Sequence, residues 1–156
     1  MAIYGVTSSD HNALAPGWLF CFGLGYTGAR LARTLRAMGW EVCGTLRDAG
    51  ALRDPEAEGI SGSSLEDAEI PPGTSHILST IPPEEAGDPV LRHHANAIAA
   101  ADGFVWLGYL STTGVYGDRG GEWVDESDAP APGNARRRRR LAAAAAWRAT
   151  GAVGGG

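Results

Sequence analysis

Three glycines spaced Gly23-Leu24-Gly25-Tyr26-Thr27-Gly28 are the residues of this chain best suited to chemistry, and the chemistry they suit is phosphate binding. In a turn leading from a strand into a helix, each has its own task. Gly23 permits the tight bend, Gly25 lets the main chain approach a pyrophosphate with no Cβ in the way, and Gly28 lets the helix pack close to the strand. The amino end of the helix, with Tyr26 and Thr27 beside it, then offers unpaired N–H groups and a partial positive charge. The spacing alone is common; its setting gives it weight. An apolar run, Trp18-Leu19-Phe20-Cys21-Phe22, enters the turn, amphipathic helical spacing follows, and Trp40 to Leu46 returns as a second buried strand. The unit is about 30 residues long, the size of a dinucleotide-binding βαβ unit. The alternative is a glycine-rich turn that holds no ligand.

The end of the second strand selects between dinucleotides. An acid there holds the ribose 2′-hydroxyl of NAD, and an arginine accommodates the 2′-phosphate of NADP. The strand ends Thr45-Leu46-Arg47-Asp48, with Arg47 19 and Asp48 20 residues after Gly28. Arg47 comes first and Thr45 adds a hydroxyl, so NADP is favoured over NAD. The bland alternative is a solvated Arg47–Asp48 pair that touches nothing.

The elements that must position these residues alternate. After the glycines, Leu31, Leu35 and Met38 form one apolar stripe, with Arg30, Arg33 and Arg36 in more exposed positions, and Gly39 ends the helix. A third strand near Gly59-Ile60-Ser61 is short, in a segment broken by Pro55, Pro71 and Pro72. Ser75 to Ile81 reads as a fourth strand stopped by Pro82-Pro83. Asp88 caps a helix with Pro89 at its first position, running to about Ala101. Phe104 to Leu110 is a fifth strand, residues 111–134 a loop, and Arg136 to Ala149 a helix by propensity. Alternating strands and helices imply an α/β fold, a doubly wound parallel sheet of Rossmann type, ordered 3-2-1-4-5, truncated after about five strands. Residues 1–17 read as an irregular leader and residues 18–156 as one nucleotide-binding domain. Thr150-Gly151-Ala152-Val153 reads as the approach to a sixth strand that does not follow, which leaves the substrate region missing.

Tyr109-Leu110-Ser111-Thr112-Thr113-Gly114-Val115-Tyr116-Gly117-Asp118 is a second signature. Together with the glycine turn it resembles the short-chain dehydrogenase/reductase superfamily, in its extended or atypical branch of NAD-dependent epimerase/dehydratase type. The resemblance runs from about Trp18 to Ala149. It implies a nicotinamide cofactor, NAD or NADP, and oxidoreductase or epimerase chemistry on a small carbonyl or hydroxyl compound. It implies that Ser79, Thr80 and Ile81 border the cofactor. It also implies that Thr112, three residues before Val115, hydrogen-bonds the reacting oxygen of the substrate; otherwise Thr112 only caps a strand end. Dehydratases of the branch often follow this Thr with Asp-Glu, whereas this chain has Thr113-Gly114, which disfavours sugar dehydration. The family's Tyr-x-x-x-Lys pair is absent: the chain has no lysine, and its last tyrosine is Tyr116. A tyrosine with its ordinary pKa of about 10 is some 3 units from neutrality, roughly 4 kcal/mol of missing activation. The runner-up is therefore a non-catalytic nucleotide-binding sensor or remnant module.

Composition narrows the rest. The 156 residues fit one domain, and 44% hydrophobic content fills a core. No segment approaches the roughly 20 apolar residues of a membrane span, and no secretory signal opens the chain, so a cytoplasmic protein with no membrane partner is expected. Cys21 and Cys43 fall inside strands as buried thiols. The net charge is −11 up to residue 135 and +6 beyond it. Arg136 to Arg140 point in all directions on a helix and build no single face, so nucleic-acid binding is not expected. They read as a solvated helix start that partly neutralises the acidic loop Glu122 to Asp128. His93 and His94 diverge by about 100° on a helix and do not share a metal ion. The substrate and the oligomeric state are open.

Overall fold

The computed structural model of the chain describes residues 3–7, 16–47, 59–101 and 104–154. Its strands are β1 (Ile3–Thr7), β2 (Trp18–Phe22), β3 (Glu41–Thr45), β4 (Ser61–Ser63), β5 (His76–Ser79) and β6 (Trp106–Leu110). Its helices are α1 (Tyr26–Ala37), α2 (Pro89–Ala100) and α3 (Ala135–Gly154), with a 3-10 turn at Thr113–Tyr116. All six strands form one sheet in the order β1-β6-β5-β2-β3-β4. The five strands from β2 onward are parallel in the 3-2-1-4-5 arrangement expected of the sequence, a Rossmann-type α/β fold.

Helices cover both faces, so the central strands are apolar on both sides. Successive residues of β2 alternate between the layers. Leu19 and Cys21 pack with Leu24, Ala29, Ala32, Val42, Ile60 and Leu78 on the α1 side. Phe20 and Phe22 pack with Ile77, Val90, Ile98, Leu107, Tyr109, Ala144 and Trp147 on the α2 and α3 side. Cys21 and Cys43 are buried and free, and they face opposite layers. Burial pushes the Cys21 thiol up to about 12.

The contact face of α1 differs from the expected stripe. Gly28, Ala29 and Ala32 are its buried residues, Leu31 and Leu35 flank them, and Met38 is 59% exposed. Small side chains bring the helix axis close to the sheet, and that approach selects the face over side-chain size. The helix ends at Ala37 with Met38 as its C-cap, and Gly39 follows at φ +86°, a left-handed conformation that favours glycine. α2 begins as its sequence predicts: Asp88 caps it, accepting from the Leu91 N–H at 3.1 Å, with Pro89 in the first turn. The second Asp88 oxygen accepts from the buried Trp147 indole N–H at 3.0 Å, tying α2 to α3.

Two expectations are corrected here. The leader over 1–17 is not irregular throughout, because Ile3–Thr7 pairs antiparallel with β6 from Ile3 opposite Leu110 to Thr7 opposite Trp106. That pairing joins residues a hundred positions apart, and no local signal announces it. Thr150 to Val153 do not approach a strand, because α3 continues to Gly154. The alanine run sustains the helix, and the Thr150 hydroxyl donates back to the Ala146 carbonyl at 3.1 Å. Among the described residues, no helix is long and apolar enough to cross a membrane.

Candidate functional site

The carboxyl ends of β2, β3, β4 and β5 surround a cavity of about 610 Å³. Gly23, Leu24 and Gly25 line it from the first turn, Thr45, Leu46 and Arg47 from the end of β3, and Thr80, Ile81 and Pro82 from the end of β5. This is the strand-order switch point of the sheet, where open α/β sheets bind their ligands.

The glycine turn is held from both sides. The Gly23 N–H donates to Thr45 Oγ1 at 2.9 Å, and the Leu24 N–H donates to the Thr45 carbonyl at 2.7 Å. The Thr80 hydroxyl donates to the Gly23 carbonyl at 2.7 Å. Gly23 has φ +98°, and a Cβ there would lie 2.6 Å from Thr80 Oγ1. A Cβ on Gly28 would run into the Gly23 carbonyl oxygen and sit 3.1 Å from Cys21 Sγ, so the helix approaches the strand as closely as glycine allows. Gly25 is the opposite case: a Cβ there meets nothing within 4 Å. Gly25 is also the N-cap of α1, with no side-chain cap and no acidic residue in the first turn. The first turn of α1 thus has no side-chain cap, and the space where a Gly25 Cβ would stand is open beside the cavity. This is the arrangement a phosphate requires.

The other candidate residues are distributed unevenly. Tyr26 is 90% exposed, and with Gly25, Ala29, Arg30, Arg33 and Thr34 it lines a second depression of about 420 Å³ on the outer face of α1; Thr27 is exposed. Arg47 is exposed at the cavity wall, and Asp48 lies outside the described residues. Thr80 and Ile81 line the cavity, but Ser79 does not. Ser79 follows Ile77 on the α2 and α3 side, fully buried, and its hydroxyl has no hydrogen-bond partner. Ser64, Leu65, Glu66 and Glu84 also line the cavity and were not marked by the sequence. Ser64 to Glu66 follow the very short β4, in a stretch whose prolines and glycines hide the periodicity.

Thr112 lies just past the end of β6. Its hydroxyl accepts from the Gly114 N–H at 3.3 Å, capping the 3-10 turn. Neither Tyr109 nor Tyr116 is an exposed proton donor beside it. Tyr116 is buried, and Tyr109 is buried with its phenol pushed up by desolvation, opposed by the nearby Arg140. The Tyr109 ring stacks on Trp147 with centroids 6.0 Å apart. The arginine run is not a uniformly solvated helix start. Arg140 donates to the Leu110 carbonyl at 3.0 Å and to the Tyr109 hydroxyl at 3.3 Å. Arg139 pairs with Glu85 at 3.8 Å, outside the acidic loop Glu122 to Asp128. His94 is engaged by its Nε2 with the Leu65 carbonyl at 2.6 Å, its ring against Phe22.

No protein-family model and no curated protein matches the chain. The solved structures similar to it include the following two. One is a functionally unknown conserved protein from Silicibacter pomeroyi DSS, 40% identical with a TM-score of 0.77, over 86% of this chain and 49% of that one. The other is a protein from Burkholderia cenocepacia J2315 provisionally assigned as an epimerase, 21% identical with a TM-score of 0.67, over 87% of this chain and 50% of that one. The chain thus spans about half the length of each. At 21% identity the second likeness speaks for the fold alone.

Proposed function

We propose that this chain is the dinucleotide-binding half of an oxidoreductase or epimerase of the short-chain dehydrogenase/reductase type, acting on a small carbonyl or hydroxyl compound. The observation that carries the reading is the contrast within one turn. Gly23 and Gly28 are sealed against their surroundings, while Gly25 faces open space and the helix it begins has no side-chain cap. The first-turn amides of that helix hold the pyrophosphate. Arg47 and Ser64 receive the adenosine ribose, where Arg47 favours a 2′-phosphate and hence NADP, and Glu66 in the same lining favours a bare hydroxyl and hence NAD. Thr80 and Ile81 border the nicotinamide end, and the Thr112 hydroxyl contacts the substrate. The bound nicotinamide would supply hydride transfer; the chain's own residues bind and orient.

The test is calorimetric titration of the purified chain with NADPH and NADH. Both or either should bind, and Arg47→Ala should weaken NADPH at least about tenfold more than NADH, the loss of one charge-assisted contact. Absence of binding by both nucleotides overturns the reading, and equal losses overturn the role of Arg47.

A second reading is a non-catalytic nucleotide-binding module. The burial of Tyr109 and Tyr116 and the absence of lysine favour it. Consumption of NADPH with a panel of small aldehydes and ketones would eliminate it.

A further inference from the structure

We propose that His94 is the positioning residue of the cavity wall formed by Ser64, Leu65 and Glu66, and that by fixing this wall it sets the balance between NAD and NADP. This role rests on the reading above, since it concerns the selectivity of that same site. His94 is not among the residues lining the cavity, whereas Ser64, Leu65 and Glu66 are. It lies on α2, only 7% exposed, with Nε2 2.6 Å from the Leu65 carbonyl oxygen. A carbonyl oxygen only accepts, so the proton of this contact sits on Nε2. The carbonyl belongs to the peptide that joins Leu65 to Glu66. That peptide is planar, so holding its oxygen fixes the plane from which Glu66 departs.

The wall depends on such a tie. β4, which leads into it, is three residues long and lies at the edge of the sheet, with β3 as its one neighbour. The turn after it closes on itself: the Ser64 hydroxyl donates to Asp67 Oδ2 at 2.7 Å and accepts from the Asp67 N–H at 3.1 Å. Those bonds stiffen the turn and leave its placement to its attachments. The Leu46 N–H holds the Ser63 carbonyl at 2.8 Å in front of it, the buried Ala68 anchors it behind, and the His94 bond holds its middle. His94 is itself set against the other side of the site. Its ring lies on Phe22, with centroids 5.3 Å apart, and Phe22 is the residue before Gly23. One buried side chain thus joins the strand end that carries the glycine turn to the turn that carries Glu66. Arg47 is placed instead by β3, which is paired on both edges. Loosening the Leu65–Glu66 peptide therefore weakens NADH, which Glu66 serves, more than NADPH, which Arg47 serves.

The test is calorimetric titration of NADPH and NADH into the purified chain and three variants. His94→Leu removes the donor, His94→Gln returns an N–H near the Nε2 position, and His93→Leu alters the exposed neighbour. In His94→Leu the NADPH-to-NADH affinity ratio should rise at least about fivefold, the loss of one hydrogen bond to a buried carbonyl. The Glu66 amide signal of the 15N-labelled variant should move while those of Gly23 and Gly25 stay. His94→Gln and His93→Leu should keep the parent ratio. A merely structural role would lower Tm and leave the ratio alone, so an unchanged ratio in folded His94→Leu overturns the proposal, as does a ratio that His94→Gln does not restore. Should His94→Leu not fold, His94→Asn, whose amide ends at the Nδ1 position, takes its place, and a parent ratio there is equally fatal. Binding of neither nucleotide by the parent chain overturns the dinucleotide reading and the role of His94 together, whereas parent binding with an unaltered ratio in the variant overturns the role of His94 alone.

Discussion

Replacing Gly25 by aspartate should make the protein more stable and unable to bind its nucleotide. Gly25 is the N-cap of α1 at φ −76° and ψ −159°, an extended conformation that suits a capping residue, and its Cβ direction is empty. An aspartate there accepts from the first-turn amides, a gain over glycine of a few tenths of a kcal/mol. Its charge at the positive end of the helix dipole adds about 0.3–1 kcal/mol, with no acidic neighbour already in that turn to oppose it. The sum is about 0.5–1.5 kcal/mol, which for a chain of this size raises Tm by roughly 1–6 °C. The same carboxylate occupies the amides that a pyrophosphate would use and repels its charge. Losing one such charge-assisted contact is worth about 1.5–3 kcal/mol, a factor of at least about ten in Kd. Thermal unfolding followed by circular dichroism and calorimetric titration with NADPH and NADH read the two effects on one sample. Unchanged nucleotide affinity in the Gly25→Asp variant would refute the site. A lowered Tm would refute the claim that the amides are free.

Gly28→Ala should act in the opposite sense: its methyl group meets the Gly23 carbonyl, backbone that cannot swing aside, so about 1–3 kcal/mol of overpacking outweighs the helix-propensity gain of about 1 kcal/mol, and urea unfolding should show a lower midpoint. Asp88→Ala removes the cap of α2 and strands the buried Trp147 N–H, for a loss of about 2–4 kcal/mol, whereas Asp88→Asn, whose single amide oxygen keeps an acceptor for one of the two donors, should lose less; an Asp88→Ala variant as stable as the parent would show the cap and the indole bond to be immaterial. His76, packed by Trp40 and Trp106 with Nδ1 2.9 Å from Ser75 Oγ, has its pKa lowered from 6.5 by burial. The unfolded chain therefore binds the proton more readily, so this contribution is complete above about pH 6.5 and is lost as pH falls toward the folded value; stability measured from pH 7 to pH 5 should fall less steeply in His76→Gln.

Much of the frame is legible in the chain itself, because it is encoded locally. The five parallel strands, the turn at Gly23 to Gly28, the Asp88–Pro89 start of α2 and the sheet order all follow from periodicity, caps and the rule that βαβ units wind one way. The tasks of Gly23 and Gly28 follow from their spacing, since each concerns contacts within one βαβ unit. What the chain could not disclose are relations between distant residues. β1 is a strand only because β6 presents an edge to it, and α3 extends through Thr150 and Gly151 where a strand approach was expected. Ser79 and Thr80 are neighbours in sequence, yet only Thr80 reaches the cavity, because the pleat turns Ser79 to the other layer. Five identical arginines acquire different partners only when α3 is laid against β6 and the loop at Glu85. Spacing along one chain specifies which groups a helix or strand carries. Packing of one element on another decides which of those groups keep their water, which find a partner, and which are buried without one.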